Sequence, residues 1–224
     1  MKITKRQKTW ANLDRNQVYS VADAIDALRE YSSKKFDESL EVAVRLGIDV
    51  TKADQNIRGM LSLPNGTGKT VRVAVFTTGS ADEAKKAGAD VVGGDDLIER
   101  VAGGEINFDR VIATPDMMPK MSKVARILGP KGLMPNPKLG TVTNNVADAV
   151  ATAKAGQIEY RAEKNGIIHA AVGKMSFPTE KLVENVNALI DQLKKVKPTS
   201  VKGQYILAVA VATTQGPGLK VDAK

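Results

Sequence analysis

The sequence contains no cysteine and a single histidine, His169. Without thiols, disulfides, cysteine zinc sites and thiol catalysis are excluded. A single histidine is too few for a metal site built from several histidines and for most catalytic acid–base pairs. Its position in the apolar string Ile167-Ile-His-Ala170 favours a hydrogen-bonded structural residue. We therefore expect no metal, no cofactor and no catalytic site.

Aromatic residues and long apolar runs are also scarce. Aromatics make up 4% of the chain, so few platforms for base stacking are available. The longest strongly apolar run, Tyr205–Ala212, is too short to cross a bilayer. No apolar segment follows the basic residues 1–13, so neither a signal peptide nor a membrane location is expected.

Positive charge is what the sequence has in excess. Lys and Arg number 33 against 25 Asp and Glu, which gives a net charge of +8 and a pI of about 9.5. This balance favours a polyanionic partner such as RNA. Basic proteins that bind no nucleic acid share it, so charge alone leaves the partner open.

The two ends of the chain show the patterns of an α+β domain. Residues 39–46 alternate between apolar and polar side chains and predict a strand with one polar face. Lys35 and Phe36 stand at the entrance of this strand, a combination that RNA-binding surfaces use. Asn165-Gly166 is a strong hairpin signal, and residues 179–197 have the apolar period of a long helix.

The middle of the chain alternates between strands and helices. Predicted strands at 71–76, 89–92 and 111–114 are each followed by a predicted helix, as in parallel βαβ units of a three-layer domain. The first strand-to-helix turn, Thr77-Thr-Gly-Ser80, lacks the Gly-x-Gly-x-x-Gly pattern of dinucleotide sites. A dinucleotide cofactor is therefore disfavoured.

These patterns predict a mixed α/β protein of two domains. The outer domain, residues 1–65 and 159–224, is α+β with a split β-α-β character. Residues 66–158 form a Rossmann-like three-layer α/β domain inserted into it. The outer segments carry 21 basic and 15 acidic residues, net +6, against 12 and 10 in the middle, net +2. A polyanion should therefore bind mainly to the outer domain.

Two motifs that resemble catalytic ones do not support an enzyme. Gly66–Thr70 ends like a phosphate-binding loop, but the first glycine of that motif is missing and a strand follows instead of a helix. Asp95-Asp96 begins a helix, where acids are favoured and adjacent side chains diverge. A nucleotide-binding enzyme using Gly66–Thr70 is the alternative hypothesis. A protein-only interaction module is a third, which leaves the basic outer domain unexplained.

Six strings resemble the family of bacterial large-subunit ribosomal protein one, and the similarity spans essentially the whole chain. They are Lys35-Phe-Asp-Glu-Ser39, Asp54-Gln-Asn-Ile-Arg-Gly59, Val111-Ile-Ala-Thr-Pro-Asp116, Ile127-Leu-Gly-Pro-Lys-Gly-Leu-Met-Pro-Asn-Pro-Lys-Leu-Gly-Thr-Val142, Gly173-Lys-Met-Ser-Phe-Pro178 and Thr213-Thr-Gln-Gly216. With three Pro and three Gly, the fourth string also predicts a structured loop that holds Lys131 and Lys138 in fixed positions.

The resemblance implies a non-enzymatic protein of the large ribosomal subunit. Such a protein binds large-subunit rRNA to form the mobile stalk and assists release of deacylated tRNA from the exit site. It also represses translation by binding the mRNA of its own operon. The resemblance further implies a cytoplasmic, ribosome-bound protein that is a monomer outside the ribosome.

The resemblance also assigns RNA contacts, in three segments of the chain. They are Lys35, Phe36, Ser39 and Glu41, then Lys174 and Ser176, then Thr214, Gln215 and Gly216. Hydroxyls and a glycine that permits close approach suit recognition of ribose 2′-hydroxyls, and the two lysines would add salt-dependent phosphate contacts. Ser39 replaces the family's usual Thr and keeps the hydroxyl, whereas Gln215 replaces an apolar Met by an amide.

Overall fold

The computed structural model describes residues 4, 8–11, 13–14, 17–33 and 35–222. Lys34 and most of the basic residues 1–13 lie outside the described residues. The chain divides into two compact units, which we call the outer unit (1–68 with 158–224) and the middle unit (69–157). Both contain helices and strands, so the predicted mixed α/β class is confirmed. No helix in the described part of the chain is long and apolar enough to span a membrane.

The outer unit is built on a five-stranded sheet with the order β1-β10-β9-β2-β8. Its strands are β1 (Val18–Tyr19), β2 (Ser39–Leu46), β8 (Ile167–Lys174), β9 (Ile206–Thr213) and β10 (Gly218–Val221). β1 runs parallel to β10, and every other neighbouring pair is antiparallel. Strand β2 is therefore an interior strand, hydrogen-bonded to β8 on one side and to β9 on the other.

Two helices, α1 (Val21–Tyr31) and α7 (Thr179–Lys195), cover one face of this sheet. The alternation in β2 explains which face they cover, because successive side chains of a strand point to opposite sides. Val42 and Val44 are buried beneath the helices, whereas Glu41 and Arg45 are exposed on the opposite face. The predicted strand at 39–46 is confirmed, and the predicted long helix is confirmed with its end at Lys195.

The predicted hairpin at Asn165-Gly166 forms in part. The chain turns there with Gly166 at a φ of +71°. However, β7 (Gln157–Arg161) pairs with β3 (Arg58–Ser62) in a separate two-stranded sheet. Among the described residues, the single bridge between Ala162 and Ile168 is what remains of the hairpin ladder. A turn motif predicts the reversal of the chain but does not identify the strand that each arm will pair with.

The middle unit has a three-stranded parallel sheet with the order β5-β4-β6. Its strands are β4 (Val73–Phe76), β5 (Val91–Gly93) and β6 (Arg110–Ala113), and its helices are α2 (Ala81–Lys86), α3 (Asp95–Ala102), α4 (Met118–Met121), α5 (Ala125–Leu128) and α6 (Val146–Lys154). Phe76 packs with α3, α4 and α5 on one face, and Val75 packs with α2 and α6 on the other. Helices therefore cover both faces, which is a three-layer arrangement.

The Pro- and Gly-rich segment after α5 is a structured loop, as predicted. The Thr141 hydroxyl accepts a hydrogen bond from the Asn136 N–H at 2.8 Å and lies 3.2 Å from the Asn136 carbonyl, so the loop is closed on itself. Leu139 is buried, and Gly140 ends a short 3₁₀ turn with a φ of +67°. Lys131 and Lys138 are exposed.

A buried asparagine anchors the segment by which the chain leaves the outer unit. The side-chain carbonyl of Asn185, in α7, accepts from the Asn65 N–H at 3.1 Å. Its amide group donates to the carbonyl of Gly66 at 3.0 Å and to that of Val172 at 2.7 Å. Asn185 is fully buried, and a buried amide is tolerated when its donors and acceptors are satisfied. This side chain therefore ties α7 to β8 and to residues 65–66.

We predict that Asn185→Ala lowers the free energy of unfolding by about 3 kcal/mol. The substitution removes three hydrogen bonds and leaves the buried carbonyl of Val172 without its side-chain donor. Urea denaturation followed by circular dichroism measures this change. Asn187, an exposed residue of the same helix, provides the control, and Asn187→Ala should cost less than about 0.5 kcal/mol. Equal losses in the two variants would contradict the anchoring role.

Candidate nucleic-acid interface

The nine predicted RNA-contact residues lie in three segments that meet at one end of the five-stranded sheet. The segments are far apart in sequence, but the start of β2 meets the ends of β8 and β9, because β2 is antiparallel to both. Ser39 lies opposite Lys174, and Leu40 lies opposite Thr213. We call this surface the strand-end patch, and it consists of Lys35, Phe36, Ser39, Glu41, Lys174, Ser176, Thr214, Gln215 and Gly216.

Ser39 is the centre of the hydrogen bonds in this patch. Its N–H donates to the Thr214 hydroxyl at 2.9 Å, and the Thr214 N–H donates to its carbonyl at 3.1 Å. The Lys174 ammonium donates to the Ser39 hydroxyl at 2.9 Å and to the Asp37 carbonyl at 3.2 Å. Residues of all three segments are therefore fixed relative to one another by contacts within the protein.

Two acidic residues that sequence reasoning missed support the patch. Asp37 accepts hydrogen bonds from the Ser176 hydroxyl at 2.7 Å and from the Ser176 N–H at 3.1 Å. Glu38 is 1% exposed, and its carboxylate accepts from the Ser33 N–H at 2.9 Å. Position 38 continues the buried series of β2 (40, 42, 44), so the period-two pattern contained a signal that Glu38 points inward.

Phe36 and Glu41 are exposed side chains of the patch that offer two different kinds of contact, an apolar ring and a hydrogen-bond acceptor. Phe36 is 44% exposed, so much of its ring is accessible to a ligand. Glu41 follows an irregularity in the β2–β8 ladder and is exposed on the face that the helices leave open. The ring offers a stacking surface, and the carboxylate accepts hydrogen bonds from hydroxyl or amino groups.

The turn after β9 requires a glycine at position 216 for steric reasons. The Gly216 N–H donates to the Thr213 carbonyl at 3.0 Å, and a Cβ at Gly216 would overlap the buried Thr213 hydroxyl. Gln215 lies at the exposed tip of this turn. The glycine thus allows the turn to close tightly beneath Thr214 and Gln215.

The strand-end patch is not strongly basic, although the chain is. Lys35 and Lys174 lie among the carboxylates of Asp37, Glu38 and Glu41. A surface of this kind offers hydrogen bonds and a ring more than a field that attracts phosphate.

A polar concavity of about 420 Å³ lies at the opposite end of β2 and contains none of the nine residues. Its lining includes Arg45, Asn165, Lys202 and the exposed side chain of Leu207. His169 is exposed on the same open sheet face, opposite Ala43. Its ring makes no hydrogen bond within the described part of the chain, so the prediction of a hydrogen-bonded structural histidine is wrong.

The middle unit has a different surface, which is strongly basic. Residues 117–147 contain five cations and no Asp or Glu: Lys120, Lys123, Arg126, Lys131 and Lys138. Lys120 pairs with Asp95 at 2.7 Å. The other four are exposed and form no ion pair among the described residues. We call these four residues the basic stretch.

The segments of the strand-end patch lie within a region that matches a known protein family. A sequence model of the ribosomal protein L1p/L10e family matches residues 28–217 of the 224. The chain belongs to this family. The resemblance seen in the sequence is thereby confirmed, and the chain is a structural constituent of the ribosome that binds rRNA.

Family membership also bears on the alternative of a nucleotide-binding enzyme. The family consists of structural RNA-binding proteins and is not an enzyme family. In the structure, Gly66–Thr70 leads into β4, whereas a phosphate-binding loop leads into a helix. The Gly66 carbonyl is held by Asn185. Among the described residues, no group of three or more acidic or histidine side chains could hold a metal ion.

We predict that Gly216→Ala lowers the free energy of unfolding by about 1–3 kcal/mol, because the added methyl group overlaps the Thr213 hydroxyl in a packed turn. Thermal unfolding by calorimetry measures the loss. Gly218→Ala is the matched control, since a Cβ at Gly218 would meet no atom within 4 Å. If Gly218→Ala proved as destabilising as Gly216→Ala, the steric account of the turn would be wrong.

Proposed function

We propose that the outer unit binds large-subunit rRNA at the base of the mobile stalk through the strand-end patch. In this proposal the discontinuous segments 1–65 and 159–224 are the RNA-binding domain, and residues 66–158 are an inserted α/β domain. The observation that supports it is the convergence of three distant segments at one end of the sheet. All three belong to the strings by which the sequence resembles its family.

The chemistry of the patch supports recognition of RNA shape and of sugar edges. The Phe36 ring can stack on an unpaired base, a contact that is worth about 1–3 kcal/mol. The hydroxyls of Ser39 and Thr214 and the carboxylate of Glu41 can bind 2′-hydroxyls, which distinguish RNA from DNA. Gly216 keeps the neighbouring backbone free of side chains, so RNA can approach it closely. Lys35 is exposed and contributes one phosphate contact.

Translational repression follows from the same surface. A messenger that imitates the rRNA site would occupy the strand-end patch, so rRNA and messenger cannot bind together. Protein made in excess of rRNA would then bind the operon mRNA and stop its own synthesis. We propose this competition as the physical basis of repression. Stalk rRNA, added in an amount equimolar to the protein, should displace a labelled messenger fragment from it.

Contact with tRNA at the exit site requires a second polyanion-binding surface, because rRNA occupies the first. We propose that the basic stretch of the middle unit supplies it. Its four cations are exposed and lie in a segment of 31 residues without a carboxylate. Such a surface binds the phosphate backbone with little sequence preference and strong salt dependence. That behaviour suits a tRNA that must be released regardless of its identity.

We predict that Phe36→Ala weakens binding of a stalk rRNA fragment by about 1–3 kcal/mol, roughly 5- to 150-fold, because a stacking contact is lost. Filter binding or fluorescence anisotropy measures the dissociation constant. Leu207→Ala is the matched control, since Leu207 is also 44% exposed but lies at the other end of the sheet. Unchanged affinity in Phe36→Ala, or equal losses in both variants, would argue against the assignment of the patch.

We predict that removing two charges of the basic stretch, with Arg126→Ala and Lys131→Ala together, weakens tRNA binding but not rRNA binding. The slope of log affinity against log salt concentration for tRNA should fall by about 1–2, since two phosphate contacts are lost. The control removes two other exposed lysines of the middle unit, Lys85 and Lys86, which have acidic neighbours. A tRNA slope that is the same in both double variants would exclude the basic stretch.

A further inference from the structure

The ammonium of Lys174 is already engaged inside the strand-end patch. It donates to the Ser39 hydroxyl at 2.9 Å and to the Asp37 carbonyl at 3.2 Å. It forms no ion pair within the described part of the chain, and its side chain is half-buried. Two of the three N–H donors of this ammonium are thus used within the protein, which indicates a role in holding the patch together.

The methylene chain of Lys174 is fixed by packing, in addition to the hydrogen bonds of its ammonium group. Gly68 lies beside it with a φ of +71°, and a Cβ there would come within 3.0 Å of the Lys174 Cγ and 2.9 Å of the Phe177 Cζ. The Phe177 N–H in turn donates to the Lys174 carbonyl at 3.0 Å. Lys174 is therefore fixed along its length by packing against Gly68 and Phe177.

The direction of the hydrogen bond to Ser39 determines where the serine proton can go. An ammonium group has donors and no acceptor, so the Ser39 oxygen accepts, and its own O–H must donate to something else. The Thr214 hydroxyl is in a similar position, because its oxygen accepts from the Ser39 N–H at 2.9 Å. Its distance of 3.5 Å to the Ser39 carbonyl is long for an O–H donor. Both hydroxyl protons are thus available to a ligand on the outer surface.

We propose that Lys174 is a positioning residue of the RNA site: it holds the Ser39 hydroxyl so that this group donates a hydrogen bond to RNA, and it does not itself contact phosphate. This inference rests on the proposed binding of rRNA by the strand-end patch. It revises the role that the family resemblance suggests for Lys174, while Lys35 keeps the role of a phosphate contact.

The test measures the affinity of the full chain for a stalk rRNA fragment over a series of salt concentrations. Lys174→Met removes the ammonium and keeps an apolar stem next to Gly68 and Phe177. We expect Lys174→Met and Ser39→Ala each to weaken binding about tenfold. The double variant should also be about tenfold weaker, because both changes remove the same oriented hydroxyl. The salt slope should stay at the wild-type value in all three.

Lys35→Met is the control for a phosphate contact, and its salt slope should fall by about 0.7–0.9. A slope that falls in Lys174→Met as it does in Lys35→Met would overturn the inference. So would a hundredfold loss in the Lys174→Met, Ser39→Ala double variant, or wild-type affinity in Lys174→Met. The wild-type affinities for stalk rRNA and for a scrambled RNA are compared first. If they are equal, the proposed function itself fails, independently of the variants.

A second pair of variants tests the inference without removing the ammonium. Gly68→Ala displaces the stem of Lys174, whereas Gly203→Ala introduces the same kind of backbone strain, at a φ of +86°, with no atom within 4 Å of the new Cβ. Gly68→Ala should weaken rRNA binding with an unchanged salt slope, and Gly203→Ala should bind as the wild type does. Equal affinities in these two variants would contradict the positioning role. This pair therefore tests the inference even if Lys174→Met does not fold.

Discussion

The antiparallel pairing of β2 with strands on both of its sides is the constraint on which the rest of the outer unit depends. It places the first residue of β2 beside the last residues of β8 and β9. It also determines, through the alternation of side chains, that α1 and α7 cover one face and that Glu41 remains exposed on the other. The strand-end patch exists because an interior strand begins where its two neighbours end.

The two surfaces proposed to contact RNA differ in their electrostatics. The strand-end patch mixes cations and carboxylates, and its strongest features are a ring, two hydroxyls and a close turn at Gly216. The basic stretch has four unpaired cations among the described residues and no acid nearby in sequence. A balanced surface gains affinity from matched hydrogen bonds and loses little to salt, whereas a basic surface gains it from counterion release. This difference supports the proposal that the outer unit binds a permanent RNA partner and the middle unit a transient one.

Much of the fold was predictable from the sequence because its signals are local. The alternation in residues 39–46 and the helical period after residue 179 depend on side chains that are neighbours in the chain. The pairing of β7 with β3 instead of β8 was not predictable, since a turn such as Asn165-Gly166 carries no information about partners. The contribution of Asp37 and the hydrogen bond between Lys174 and Ser39 likewise depend on contacts between distant segments, whereas the inward direction of Glu38 follows from the local alternation of side chains. The steric need for glycine at position 216 also depends on a contact that the sequence does not show, the approach of its backbone to the Thr213 hydroxyl.

The central claim is that the strand-end patch recognises rRNA by shape and hydrogen bonds and not by charge alone. The most direct measurement compares the affinities for a stalk rRNA fragment and for a scrambled RNA of equal length from low to high salt. The account predicts that the stalk RNA binds more tightly and that its advantage persists as salt rises, with a shallow slope for the specific complex. Equal affinities, both lost as salt rises, would show that the net charge of +8 dominates binding and would contradict the account.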